Sequence, residues 1–101
     1  MIKFERYPIV GDLIRHYSKQ IKDDVVNTIL INGVKNEQEA YIFCRFIIRM
    51  IDCMAKDMQN NVAVLGSMDN TVAIPDIDYE ISLYMARNNY EDIWDEVCDE
   101  E

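Results

Sequence analysis

The stretch from Glu37 to Met58 constrains this chain more than any other. Its polar residues Arg45, Arg49, Asp52 and Lys56 recur at steps of four, three and four, so on a helix they form one narrow stripe. Nearly everything else is apolar: Ala40, Tyr41, Ile42, Phe43, Cys44, Phe46, Ile47, Ile48, Met50, Ile51, Cys53, Met54 and Ala55. An apolar arc that wide requires packing on two or three sides, which predicts a central buried helix over about 37–58. Burying one of its Phe or Ile side chains is worth about 1.5–3 kcal/mol. Asn36 with Glu39 fits an N-cap and its reciprocal acidic partner. Arg49–Asp52 and Asp52–Lys56 are spaced to pair across turns.

Shorter elements are expected on either side. Ile2 to Tyr7 reads as an extended or irregular arm ended by Pro8. Ile9, Leu13, Tyr17 and Ile21, flanked by Val10 and Ile14, form a helical stripe, with Arg15, Lys19 and Lys22 on another face. Asp23 or Asp24 is suited to cap a second helix through Val25, Val26, Ile29 and Leu30, which Asn32-Gly33 would stop. Beyond Gln59, the β-branched runs Val62–Leu65 and Thr71–Ile74 flank a turn-like Gly66–Asn70, which predicts a small β-hairpin over about 62–74. Such a hairpin needs a helix to lean on.

Residues 77–85 admit two readings. Ile77, Tyr79, Ile81, Leu83 and Met85 alternate as in a strand, whereas Asp78 and Glu80 early and Arg87 late suit a helix dipole. The helix is the reading taken. Asn89 is then expected to cap a final helix with Tyr90, Ile93, Trp94 and Val97 at helical spacing. The expected class is α+β and predominantly helical, in a single domain spanning residues 1–101. Half of the residues are hydrophobic, with only three glycines and two prolines, which argues against disorder and against an all-β fold.

Charge is the second constraint. Residues 1–68 carry nine basic and eight acidic side chains, whereas 69–101 carry eleven acidic ones and only Arg87 as a base. The net charge of −9 therefore lies in the last third. Phosphates would be repelled there, so no direct contact with nucleic acid is expected. No membrane span is expected, because Arg45, Arg49 and Asp52 interrupt the longest apolar run. The three cysteines without a secretory leader suggest reduced thiols and a cytoplasmic location, a bacterial host cell if the chain is phage-encoded.

Motifs that carry chemistry are absent from the sequence. His16 has no cysteine or carboxylate at metal-ligand spacing and reads as a half-exposed helix histidine near Asp12. Cys44 and Cys53 fall on opposite helix faces and read as core residues. Cys98 sits among carboxylates that would blunt its reactivity. Asp69, Asp76 and Asp78 lack the ordered spacing of a calcium loop. Met50, Met54 and Met58 at steps of four read as core filling, with a methionine-lined partner groove as the alternative. Neither an enzyme nor a metal or cofactor site is expected.

What remains is the acidic end. On a helix, Glu91, Asp95 and Asp99 stand about 6 Å apart along the axis, close to the spacing of successive phosphates on a nucleic-acid strand. With Glu96, and extended by Asp76, Asp78 and Glu80, they would present a phosphate-like ridge, with Tyr90 or Trp94 as an apolar anchor. In size, acidity and lack of catalytic motifs the chain is similar to the small inhibitors that bacteriophages carry against host nucleases, including anti-CRISPR proteins. That resemblance implies an inhibitor occupying the basic, nucleic-acid-binding surface of a partner protein such as a nuclease. The alternative is a structural or adaptor module acting through oligomerisation and an apolar helix surface. The acidic helix would then dock on Arg15, Lys19 and Lys22, within one chain or across a homodimer.

Overall fold

The computed structural model describes residues 2–59 and 74–100. It contains helices α1 (Pro8–Ile21), α2 (Asp24–Asn32), α3 (Glu37–Gln59), α4 (Ile74–Arg87) and α5 (Glu91–Asp99). Helices α1, α2 and α5 pack on α3, and α4 bridges α1 and α5.

The α+β expectation is corrected: among the described residues every regular element is a helix. Most of the hairpin expected over 62–74 lies outside the described residues. Its last residue, Ile74, opens α4 instead of ending a strand. A proline in the first helical turn is tolerated because its missing N–H has no acceptor there, so Pro75 does not oppose the helix. Burial then follows helical spacing: Ile77, Ile81, Tyr84 and Met85 are in the core while Tyr79 is 72 % exposed, which settles the ambiguous segment as helix.

Each helix end has a local cause. Pro8 opens α1, and Lys22, with φ 52°, closes it in the left-handed region. Asp23 caps α2 by accepting from the Val25 and Val26 amides at 3.0 and 3.2 Å. Gly33 stops α2 at φ 86° and ψ 169°, a conformation open essentially only to glycine. Before α3, Asn36 Oδ1 accepts from the Glu39 amide at 2.9 Å, as expected of the N-cap, while Glu39 Oε1 reaches one residue further back than a reciprocal cap requires and accepts from the Lys35 amide at 3.0 Å.

The core is centred on α3. Phe43, Cys44, Phe46, Ile47 and Met50 are all buried, and they meet Leu13, Ile14 and Tyr17 of α1 and Ile81 and Met85 of α4 in one apolar cluster. The polar stripe of α3 remains exposed at Arg45, Arg49, Asp52 and Lys56. Instead of pairing with Asp52, Arg49 reaches the capping Asp23 at 3.6 Å. The N-terminal arm is tied to α2 by the Ile2 amide, which donates to the Leu30 carbonyl at 3.1 Å. Phe4 packs so closely that a Cβ at Gly11 would lie 2.6 Å from its Cβ, so α1 requires glycine there.

Candidate functional site

Helix α5 begins at a corner built by Asn89. With φ 61°, Asn89 occupies the left-handed position that ends α4. The Tyr90 amide donates to the Met85 carbonyl at 2.8 Å and the Asn89 amide to the Ala86 carbonyl at 3.3 Å, the bond pair of a Schellman motif. This corrects the expectation that Asn89 caps α5, since Tyr90 takes the N-cap position without a side-chain bond. Asparagine serves in either place because its short polar side chain tolerates positive φ.

The apolar stripe of α5 faces the domain. Val97 is buried, and Tyr90, Ile93 and Trp94 are half-buried against the core. Tyr90 and Trp94 therefore act first as internal anchors of the helix, and the Tyr90 ring lies 6.4 Å from that of Tyr84. On the other side Glu91, Asp92, Asp95, Glu96 and Asp99 are exposed. Glu91 and Asp92 lie in the first turn, where negative charge complements the helix dipole. The far end is tethered by Glu100, which accepts from the Tyr41 hydroxyl and lies 4.0 Å from Arg45 Nη1. That hydrogen bond is the main reason the Tyr41 phenol is pushed above its ordinary value; the Glu96 carboxylate adds slightly to the shift. Among the described residues, Arg45 is the cation that meets the acidic end. Arg15, expected as an internal docking point, pairs with Asp12 at 2.8 Å.

The α4 residues proposed to extend the ridge separate. Asp78 is exposed. The backbone of Asp76 lies in the first turn of α4, and its side chain is not among those described. Glu80 must be removed from the ridge. It is only 9 % exposed, and its Oε1 accepts from the Val10 amide at 3.2 Å, at the N-terminus of α1. A carboxylate there satisfies donors that have no intrahelical acceptor and faces the positive end of the dipole. Burial nevertheless dominates and raises its pKa; the Val10 and Ile9 amides oppose the shift and Asp12 adds to it.

The other candidates fall into the fold. Cys44 is fully buried, its thiol pushed up to about 12 by burial and its Sγ 3.8 Å from Met85 Sδ. Cys53 is only half-buried and Cys98 is exposed, so of the two cysteines expected in the core only Cys44 lies there. His16 is half-exposed and contacts Gln20 at 3.1 Å instead of Asp12. Met50 and Met54 fill the core, which removes them from any partner groove. Among the described residues no group of three His, Cys, Asp or Glu is placed to hold a metal ion, and no helix is long and apolar enough to cross a membrane.

One feature escaped the sequence reading. An open groove of about 400 Å³ runs between the N-terminal arm and the α4–α5 corner. Lys3, Arg6 and Arg87 line it together with Tyr7, Tyr84 and Tyr90. The only local signal was the interleaving of Lys3 and Arg6 with Phe4 and Tyr7; Arg87 joins them from more than 80 residues away. No protein-family model, curated protein or solved structure matches the chain.

Proposed function

We propose that this chain is a cytoplasmic binding protein of the inhibitor type, without catalysis of its own, whose acidic last helix occupies the basic, nucleic-acid-binding surface of a partner protein. One observation carries the reading: α5 commits its apolar stripe to the core and leaves Glu91, Asp92, Asp95, Glu96 and Asp99 exposed. Carboxylates carried on a packed helix lose no further backbone freedom on binding, so more of their attraction to a cationic groove survives as affinity. The same field speeds encounter and is weakened by salt.

The test is competition. Nucleic-acid-binding proteins from a cell lysate are held on immobilised duplex DNA and challenged with the chain at low and raised salt. The expected result is release of a defined protein at low salt, with less release at raised salt. The variant Asp95→Lys, Glu96→Lys, Asp99→Lys should release none. These positions lie in the later part of α5, where cations favour the dipole, so the helix should persist and circular dichroism should match wild type. Equal release by both proteins, or release by neither, refutes the reading.

A further inference from the structure

We propose that the groove between the N-terminal arm and the α4–α5 corner binds a small aromatic phosphate monoester, its phosphate held among Lys3, Arg6 and Arg87 and its ring beside the half-buried Tyr90 and the hydroxyl edges of the buried Tyr7 and Tyr84. The distribution of charge carries the argument. The chain has 19 acidic and 10 basic residues, yet three of those bases line this groove and, among the described residues, no carboxylate does. None of the three forms an ion pair with a described residue, whereas Arg15, Arg45 and Arg49 all do. Three cations gathered around one concavity repel one another, and an anion relieves that repulsion. Three positive charges suit a phosphate dianion better than a carboxylate, and guanidinium groups match its oxygens two at a time.

The tyrosines supply the second half of the site. Tyr84 is the hub of an aromatic cluster, with ring centroids 5.1 Å from Tyr7, 5.8 Å from Phe43 and 6.1 Å from Phe4. The hydroxyls of Tyr7, Tyr84 and Tyr90 form no hydrogen bond with another described residue, and no buried side-chain oxygen lacks a partner, so each hydroxyl reaches solvent. Burial raises the Tyr84 and Tyr90 phenols, which keeps them protonated and able to donate. Asn88 gives Nδ2 to the Tyr84 carbonyl at 2.9 Å and keeps its amide oxygen for a ligand donor. The volume suits one ring and one phosphate.

Amide-resolved NMR titrations with phenyl phosphate, adenosine 5′-monophosphate and inorganic phosphate test this directly. At least one aromatic ester should shift the amides of Lys3, Arg6, Arg87 and Asn88 and bind at least tenfold more tightly than inorganic phosphate. Tighter binding of the mononucleotide identifies a nucleotide ligand, and tighter phenyl phosphate an aryl phosphate. Affinity should rise as pH passes about 6, where the monoester gains its second charge. The double variant Arg6→Gln, Arg87→Gln alters two exposed side chains and should bind at least tenfold more weakly at unchanged thermal stability. Absence of binding at millimolar ester, equal affinity for inorganic phosphate, or an unaffected double variant overturns the proposal.

Discussion

Replacing Glu80 probes the polar contact that spans the most sequence among the described residues. Its carboxylate caps α1 from α4, across 70 residues of sequence. Glu80→Ala leaves the Val10 amide without its acceptor in a site only 9 % exposed. Loss of a helix cap costs about 0.5–2 kcal/mol, and a buried donor left unsatisfied about 1–3 kcal/mol. These describe one event, so the expected loss is about 2 kcal/mol. In a domain of this size that lowers Tm by roughly 8–16 °C. Glu80→Gln behaves differently, because an amide oxygen can accept the same bond without a buried charge. The carboxyl is raised above its ordinary value of 4.5, with burial the largest cause. Folding therefore favours the neutral acid. That contribution is fully present below pH 4.5 and is lost as pH rises through the folded pKa. Gln removes this component, so the stability of Glu80→Gln relative to wild type should improve from pH 4 to pH 7 and match or exceed it at pH 7. Urea and thermal unfolding followed by circular dichroism across that range measure both variants. An Ala variant within about 0.5 kcal/mol of wild type, where ordinary surface substitutions fall, refutes the capping argument. So does a Gln variant as unstable as Ala at pH 7.

Two further outcomes follow from backbone geometry. Gly11→Ala should destabilise the fold by about 1–3 kcal/mol in urea unfolding despite the better helix propensity of Ala, because the new Cβ meets Phe4. At the α4–α5 corner, Asn89→Gly should be neutral or stabilising and Asn89→Val should cost at least about 1 kcal/mol, since φ is 61°; equal Tm values for the two would exclude a left-handed requirement.

The helices were legible wherever a local pattern set them. The α3 stripe, its Asn36–Glu39 cap, the Asp23 cap and the Gly33 stop all act within a few residues of sequence. Charge alone places Glu80 on the surface, although its position between Ile77, Ile81 and Tyr84 puts it on the buried face. Its partner lies too far along the chain for any spacing rule. Asn89 was misplaced for a different reason: one residue type suits both the start of a helix and the left-handed end of the preceding one. The groove was invisible because Lys3 and Arg6 approach Arg87 only through the tertiary packing of the arm.

The two sides of α5 can be altered independently. Ile93, Trp94 and Val97 hold it in place, whereas Asp95, Glu96 and Asp99 contribute nothing to the interior. Exchanging those three acids for lysine moves the formal charge from −9 to −3, each exchange adding two units, with no repacking beneath them. The electrostatic identity of this protein is therefore a coat that selection can rewrite residue by residue while the shape underneath endures.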